Sequence, residues 1–412
     1  MSLKSGHVDE IVEKCIDIFK KLPKNGKPIE KEWTVLSCVL QYDRITTTFE
    51  VVSLGTGSKC IGATKMSSAG DILNDSHAEV IARRGFLVYL YDNMMKALEK
   101  KESIFLFENN KFKLKDNVEF VFYSSQMPCG DAAIMRKEID EECLGQVITS
   151  SKRQANTDIS YSELDVKKHK LDNYDIYRTG AKCLPHSEQD TKSAGANYHL
   201  LGKVRTKPGR GDRTLSVSCS DKIARWIHVG VQGALLDMLL LKSICFSSLI
   251  FGGGVPYSEE SIMRACLKRS LENSFVTSNN VPLFYQASVV FPHIKNDTNI
   301  RPAPGSIVWI KLDQMLTEVA VQGKKLGLTK KKQISPDNSL CISKYNLFKK
   351  FQQVLMKIEA LEKNMEFMPV KTLTYSEAKQ KSKRYLEQWE IVKDTFFKTW
   401  TIKPNIWNFV IK

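Results

Sequence analysis

Apolar residues follow a helical period near the N-terminus and a strand-like pattern in the segments that come next. Residues 8–22 place apolar side chains three and four positions apart, which predicts an amphipathic helix that ends before Pro23. The runs WTVLSCVLQYD (33–43) and TTTFEVVSLGTG (46–57) are rich in β-branched and aromatic residues and flank a short turn, so they predict a β-hairpin. NVEFVFYSS (117–125) predicts a further strand.

Three later segments predict helices that begin where an extended segment ends. Residues 76–100 predict a helix with Asp75 or Ser76 as its N-cap. QMPCGDAAI (126–134) predicts a turn followed by a new helix. TLSVSCSDKIARW and the residues after it (214–241) predict a strand that leads into one continuous helix.

The rest of the chain indicates one domain over residues 1–412. Residues 375–400 predict a long helix within a helical C-terminal part at about 340–412. Residues 150–197 are polar and low in large apolar side chains, and residues 323–333 are basic, so both predict surface segments. No internal repeat or linker divides the chain, and we therefore expect a single α/β domain with a mixed sheet flanked by helices and a helical C-terminal extension.

The charge balance narrows the class of partner. Lys and Arg outnumber Asp and Glu by 61 to 46, which gives a formal net charge of +15. This excess favours nucleic acid, phosphorylated ligands or anionic membrane, although solubility alone also accounts for it. No apolar run reaches the ~18 residues of a membrane span, and the N-terminus lacks the apolar core of a signal peptide. With ten cysteines in no tight framework, these features predict a reducing, intracellular location in the nucleus, the cytoplasm or both.

A histidine, a glutamate and two cysteines form the candidate chemical site. His77 and Glu79 are two residues apart, and Cys129 and Cys219 lie at predicted strand-to-helix junctions. Zinc binds such nitrogen and sulfur ligands, and H-x-E with P-C-x-x-C is the signature of zinc nucleobase deaminases. Pro128 precedes Cys129 here, but the second cysteine comes 90 residues later (219 − 129 = 90). Each piece alone is more often a surface helix or a packed thiol, so only the combination predicts a metal site.

Longer stretches around these residues resemble one known family. NDSHAEVIARR, MPCGDAAI, KPGRGDRTLSVSCSDKIARW and GVQGALL resemble the adenosine deaminases acting on RNA, from about residue 30 to the C-terminus. They are most similar to the branch that acts on tRNA and converts adenosine 37 of alanine tRNA to inosine. The resemblance implies a deaminase-type fold and alanine tRNA as the partner. It also implies that the second cysteine ligand lies in SCSDK, which accounts for the missing C-x-x-C.

The same resemblance implies the chemistry. The zinc ligands would be His77, Cys129 and Cys219. The ion would make water reactive at neutral pH, and Glu79 would transfer protons from that water to N1 of adenine and to the departing amine. Ser58 and Lys59 match a loop that contacts the substrate nucleotide in this family, although a plain turn at the end of a hairpin accounts for them equally well.

A second group of residues predicts a buried anion. Lys222, Arg225 and Trp226 are spaced to share one helix face, and Arg83 and Arg84 lie on another helix that must pack. Several buried cations require a buried anion. The resemblance implies that inositol hexakisphosphate is this anion and acts as a structural cofactor. Its implied contacts are Asn74, Arg83, Arg84, Lys222, Arg225, Trp226, Gln232, Lys344, Tyr375, Lys379, Tyr385, Trp400 and Lys403.

Two departures from the family pattern fall near this anion site. Ala234 and Ile402 stand where the family typically has a small hydroxyl or acidic side chain, which would remove polar contacts at the edge of the site. Ile227 and His228 follow the ARW motif, where the family usually has Asn. We expect His228 to be a packed helix residue and not a fourth zinc ligand.

Two absences favour tRNA over duplex RNA. The deaminase-like sequence begins almost at once, so no duplex-binding module is expected before it. Duplex editors of the family carry a Glu that fills the space of the flipped base, whereas RTGAKCLP (178–185) has no acid. A base in an anticodon loop is already unpaired, so such a plug is unnecessary. The alternatives are an editor of double-stranded RNA and a zinc-containing RNA-binding protein without turnover. Candidate surfaces for the RNA backbone are 151–170, 203–213 and 323–333.

Overall fold

The structure is a computed structural model that describes residues 3, 5–137, 174–209, 211–269, 281–295, 299–329, 331–332, 335–361 and 372–411. The candidate RNA-binding segment 151–170 lies outside the described residues, as do parts of the segments 150–197, 203–213 and 323–333. None of the helices in the described ranges is both long and apolar enough to cross a membrane.

The helices within the described ranges are α1 Ser5–Lys21, α2 Ala78–Leu98, α3 Cys219–Val229, α4 Gly233–Asp237, α5 Glu259–Cys266, α6 Lys344–Leu361, α7 Tyr375–Gln380 and α8 Lys383–Val392. The strands are β1 Glu32–Trp33, β2 Leu36–Asp43, β3 Thr48–Thr56, β4 Ser58–Cys60, β5 Asp75–His77, β6 Phe105–Glu108, β7 Lys111–Leu114, β8 Val118–Ser124, β9 Lys182–Cys183, β10 Arg205–Thr206, β11 Ser248–Phe251, β12 Leu283–Gln286, β13 Arg301–Pro302, β14 Gly305–Ile310, β15 Leu316–Val321 and β16 Lys324–Lys325. Short 3₁₀ turns occupy Ala63–Lys65, Asp131–Ala133, Gly195–Tyr198 and Pro336–Asn338, and a π-helical turn occupies Lys393–Phe397.

An eight-stranded mixed sheet forms the centre of the molecule. Its strand order is β12-β11-β8-β2-β3-β14-β15-β16. The β12, β11 and β8 strands are parallel to one another, and the remaining neighbours are antiparallel. The predicted hairpin is the β2–β3 pair, and the strand predicted at 117–125 is β8. The α/β prediction with a mixed sheet is therefore confirmed.

Helices cover both faces of this sheet. Helix α2 packs across β2, β3 and β14, with α6 beside it, and α1 covers the opposite face. Along β2, Cys38 and Leu40 belong to the core that α1 completes, whereas Val39 belongs to the core on the α2 side. This alternation follows from the two-residue period of a strand. Because both faces of β2 are buried, its sequence is apolar on both.

Glycines with positive φ shorten two of the predicted helices. Gly230 has φ 94° and ends α3, so the prediction of one helix continuing to about residue 241 is wrong. Gly130 has φ 106°, and only a single 3₁₀ turn follows it, so the helix predicted within 126–134 is also wrong. Side chains other than glycine rarely adopt this backbone region, and a regular helix cannot pass through it.

The predicted helix over 375–400 is broken near Ser382. A capping box at Thr374 and Glu377 begins α7, which stops at Gln380, and α8 begins after Ser382. A π-helical turn follows α8 and ends at Lys398, which has φ 59°. The prediction of a single long helix is therefore wrong. These breaks allow Tyr375 and the residues near 400 to line one cavity, which is described below.

Helix α2 lacks the side-chain N-cap that the sequence predicted. His77 occupies the N-cap position and its side chain makes no capping hydrogen bond, while Asp75 and Ser76 belong to β5. The Asp75 carboxylate instead accepts the backbone N–H of His77 at 3.0 Å and pairs with Lys207. The prediction of Asp75 or Ser76 as N-cap is wrong because the strand holds both residues before the helix begins.

Two segments predicted to be on the surface join the packed domain in part. Within residues 150–197, Ala181, Cys183 and Leu184 are buried, and β9 pairs with β10. Residues 185–197 are mostly exposed, so the prediction of a surface segment holds for them but is wrong for Ala181, Cys183 and Leu184. The basic segment 323–333 begins with β16 at the edge of the main sheet.

Gly55 of β3 lies where the backbone of α2 crosses the sheet closely. A Cβ atom at Gly55 would lie 2.5 Å from the carbonyl oxygen of Ala78 and 2.6 Å from the nitrogen of Ala82. Since backbone atoms cannot rotate away, we expect Gly55→Ala to lower the free energy of unfolding by about 1–3 kcal/mol. Urea unfolding followed by circular dichroism measures the change. Gly6→Ala is the control, because a Cβ there would meet nothing within 4 Å, and equal shifts for both variants would contradict this account.

Candidate active site

The three candidate metal ligands come from separate elements and meet at one point. His77 ends β5, Cys129 follows β8, and Cys219 begins α3. The Cys129 thiol hydrogen-bonds both the Cys219 and the His77 side chains, and the backbone N–H of Cys219 donates to Cys129 Sγ at 3.3 Å. Within the described part of the chain, no three His, Cys, Asp or Glu side chains have the spacing of a formed metal site. The candidate ligands contact one another directly.

The surroundings of His77 determine how its ring is used. Its Nδ1 lies 3.0 Å from Asp75 Oδ1 and 3.2 Å from the carbonyl oxygen of Lys59. Both partners are acceptors, so Nδ1 keeps its proton, and Nε2 is the ring atom that would bind a metal once it has released its own proton. Burial and the charge of Lys207 disfavour protonation, but Asp75 and Cys129 outweigh them and raise the pKa of His77 to about 9.

The environment of Cys129 favours the thiolate form. The hydrogen bond from Cys219 lowers the pKa of Cys129 well below its usual value, and the charge of Lys207 acts in the same direction. Lys207 is fully buried, and its Nζ lies 3.0 Å from Cys219 Sγ. Thiolates and neutral imidazole are the ligands that zinc prefers, so the donor set fits this ion.

Glu79 lies in the first turn of α2, directly after His77 and Ala78. Its side chain is buried, and its Oε2 has no hydrogen-bond partner. Burial raises the pKa of Glu79 above its usual value, which brings it closer to neutrality. A buried carboxyl oxygen without a partner is costly for stability, and it indicates that this atom serves a ligand.

Asp75 connects this site to a neighbouring cavity. Its carboxylate pairs with Lys207 at 2.8 Å and also with Lys222, which lines the cavity. Burial opposes ionisation of Asp75, but these two cations lower its pKa well below the usual value. Lys207 was not predicted to be a site residue. It lies in the segment 203–213, which was predicted to contact the RNA backbone. Residues 204–207 are buried, so that prediction is wrong for this part of the segment.

Helix α5 holds both cysteine-bearing segments through buried ion pairs. Arg264 Nε lies 3.0 Å from Asp131 Oδ2, and Arg269, just beyond the helix, pairs with Asp221. Both carboxylates are fully buried. Each follows a candidate ligand by two residues, so C-x-D occurs at Cys129 and again at Cys219. These ion pairs were not predicted from the sequence. The repeated C-x-D pattern is the signal that could have identified Asp131 and Asp221.

Replacing Arg264 with Leu is expected to destabilise the segment after Cys129. Asp131 would remain buried with the Gly202 N–H as its other hydrogen-bond donor. Removing one partner of a buried ion pair costs about 3–5 kcal/mol. The unfolding midpoint in urea measures this loss. Lys203→Leu breaks the exposed pair with Glu188 and serves as the control, since such pairs contribute less than about 1 kcal/mol. An unfolding midpoint that Arg264→Leu leaves unchanged would contradict the stabilising role of the Arg264–Asp131 ion pair.

The thirteen residues implied as anion contacts line one cavity of about 260 Å³. They come from α2, α3, α6, α7 and α8 and from the connections between these elements. The lining residues include seven Lys or Arg side chains and one acid, Asp75. The structure therefore brings together side chains that are more than 300 residues apart in sequence, from Asn74 to Lys403.

The charges of this cavity are incompletely balanced by protein groups. Arg84 Nη2 and Arg225 Nε are buried and make no hydrogen bond. Burial and then the neighbouring cations lower the pKa of Lys344 well below its usual value, and burial lowers that of Arg83 to about 10. Arg225 also stacks on Trp389, with its guanidinium carbon 3.7 Å from the ring centroid. These orphaned donors and like charges fit a bound polyanion.

Four other sequence predictions have different outcomes. Ala234 lines the cavity, but Ile402 is 83% exposed and does not line it, so its predicted effect on the anion site is wrong. His228 is buried, with Nε2 2.9 Å from the carbonyl oxygen of Cys266, which confirms that it is a packed helix residue. Ser58 and Lys59 lie in β4, where Ser58 is opposite His77 in the ladder. They are therefore strand residues beside the site and not a plain turn.

A family model described as the adenosine-deaminase (editase) domain matches residues 53–404. The chain belongs to this family. The editase chain is 37% identical to tRNA-specific adenosine deaminase 1 of Drosophila melanogaster, over 98% of this chain and 96% of the fly protein. It is 34% identical to tRNA-specific adenosine deaminase 1 of Mus musculus, over 96% of this chain and 98% of the mouse protein.

Relatives named for double-stranded RNA match less of the editase chain. The double-stranded RNA-specific adenosine deaminase of Mus musculus is 32% identical over 49% of this chain and 16% of its own length. The resemblance inferred from the sequence motifs, to the RNA adenosine deaminases and to their tRNA-acting branch, is therefore confirmed.

Proposed function

We propose that this editase chain hydrolyses adenosine to inosine in tRNA, at position 37 of alanine tRNA. One observation carries the proposal: His77, Cys129, Cys219 and the unpartnered Glu79 carboxyl group meet in a buried site of an editase domain. The near full-length similarity to proteins named tRNA-specific adenosine deaminase 1 supports tRNA as the substrate class.

In this proposal, His77, Cys129 and Cys219 hold Zn²⁺. The bound ion supplies the Lewis acidity that makes water reactive near neutral pH. Asp75 behind the His77 ring keeps Nδ1 protonated, and Lys207 stabilises negative charge on the sulfurs.

Glu79 acts as the proton carrier. It takes a proton from the water that attacks C6 of the adenine ring and transfers it to N1. It then takes the proton of the hydroxyl group now on C6 and passes it to the departing amine, so that ammonia leaves and the C6 carbonyl of inosine forms. Burial suits Glu79 to both transfers, because it raises the pKa of the carboxyl group. The raised pKa lies closer to the pKa values of the groups with which Glu79 exchanges protons.

We also propose that inositol hexakisphosphate occupies the cationic cavity as a structural cofactor. The seven Lys and Arg side chains at the cavity provide the charge, and the orphaned atoms of Arg84 and Arg225 provide donors for phosphate oxygens. Smaller anions would leave most of these donors unpaired. The cavity lies beside Asp75 and is therefore adjacent to the metal site.

The test is to incubate the purified chain with total tRNA and to sequence the product for adenosine-to-inosine changes. We expect conversion at position 37 of alanine tRNA and release of ammonia. A long RNA duplex is the comparison substrate, and preferential editing of the duplex would favour the alternative of a double-stranded RNA editor. RNA binding without ammonia release would favour an inert RNA-binding protein. Metal analysis of the active protein should give about one zinc per chain.

A further inference from the structure

A strip of tyrosine and arginine side chains runs along the surface beside the active site. It consists of Arg136, Tyr174, Tyr177, Arg178 and Tyr198, and is called the Tyr–Arg strip below. The guanidinium carbon of Arg136 lies 4.3 Å from the ring centroid of Tyr174, and that of Arg178 lies 4.1 Å from the centroid of Tyr198. Two planar cations are thus stacked on two aromatic rings.

Backbone hydrogen bonds attach this strip to the segment that carries Cys129. The N–H of Gly130, the next residue after Cys129, donates to Thr179 Oγ1 at 3.3 Å. The N–H of Tyr177 donates to the carbonyl oxygen of Met135 at 2.8 Å. Thr179, the neighbour of Arg178 in the strip, is therefore hydrogen-bonded to the residue that follows a candidate metal ligand.

The strip is exposed and carries more positive than negative charge. Tyr177 is 37% exposed, and the Arg178 side chain is 48% exposed. Asp175 is the one carboxylate within residues 174–178, and it pairs with Lys137 and more distantly with Arg178. Aromatic rings and guanidinium planes that remain in solvent near cations are typical of surfaces that stack unpaired bases.

We propose that the Tyr–Arg strip stacks the unpaired nucleotides that flank the target adenosine in the RNA loop. The inference rests on the proposed function, because it concerns the same RNA. Every base has two flat faces, so stacking on Tyr177 or on the Arg178–Tyr198 pair holds the loop without reading its sequence. The strip would hold the neighbouring bases while the target base enters the site beside Cys129.

The test combines changes in the protein with changes in the RNA. The first probe is an RNA hairpin with an unpaired adenosine in its loop, and the second replaces the flanking loop bases with abasic residues and keeps every phosphate. The wild-type chain should bind the abasic hairpin about tenfold more weakly. Tyr177→Leu and Tyr198→Leu should each reduce this difference, and the variant that carries both changes should bind the two hairpins equally. Tyr177→Phe keeps the ring and should retain the tenfold difference.

Arg44→Ala is the matched control. Arg44 is 52% exposed and follows the end of β2 that is remote from Ser125 and Cys129, so its loss should leave the difference between hairpins unchanged. Thermal melting checks that each variant is folded. The inference is overturned if wild type does not distinguish the hairpins, or if the Leu variants distinguish them as wild type does. Inosine formation on the intact hairpin tests the proposed function separately. If the wild-type chain forms inosine but binds both hairpins equally, only the proposed role of the Tyr–Arg strip is excluded.

Discussion

Glu79→Gln is expected to reduce inosine formation by about a thousandfold or more, while zinc content and RNA affinity stay at wild-type levels. Glutamine has nearly the same shape, but its amide cannot accept and release a proton in the required steps. General acid–base groups contribute about 10²–10⁴ to a rate, and here one group serves two transfers. Single-turnover formation of inosine on tRNA measures the effect, because it isolates chemistry from product release.

A second buried glutamate provides the control for this substitution. Glu318 is buried in β15 and pairs with Lys325, away from the three candidate ligands. Glu318→Gln should therefore leave the single-turnover rate within about twofold of wild type, which separates loss of a proton carrier from loss of a buried charge. Residual turnover within tenfold of wild type in Glu79→Gln would refute the assigned role of Glu79.

The sequence predicted those parts of the fold that local patterning determines. The β2–β3 hairpin and β8 follow from apolar runs bounded by turn residues, and α1 follows from its helical period. The side chains of the candidate site were chosen by type and motif, and the structure brings His77 and both cysteines together. Motif resemblance was necessary for this choice, since a separation of 90 residues between two cysteines carries no geometric information.

Other features depend on tertiary contacts that local patterning does not record. Asp75 is of a residue type favoured at the N-cap, but Lys207, 132 residues away in sequence, pairs with it in the interior. The breaks at Gly230 and Ser382 direct α4 and α8 towards the cavity, although the apolar pattern alone indicated helices that continue through both positions. Ile402 shows the converse error, because adjacency to Lys403 in sequence does not place its side chain in the same cavity.

If the proposed inositol hexakisphosphate occupies the cavity, its removal is expected to have the largest effect on stability. Seven cationic side chains line a cavity of about 260 Å³, and their mutual repulsion is strong when no anion is present. A ligand at a thousand times its Kd stabilises a protein by about 4 kcal/mol, which is the effect expected of the proposed polyanion. Protein unfolded in urea and separated from small molecules should refold with added inositol hexakisphosphate and refold poorly with inorganic phosphate alone.

Arg225→Met tests the same cavity without denaturant. Methionine keeps much of the apolar contact with Trp389 but removes the charge and the buried Nε donor. We expect this variant to lose most of its inositol hexakisphosphate, measured as phosphorus per chain, and to unfold at lower urea. Arg44→Met removes an exposed arginine and should keep both values. Wild-type protein that contains no phosphorus, and whose unfolding midpoint does not respond to added inositol hexakisphosphate, would show that the cavity serves another purpose.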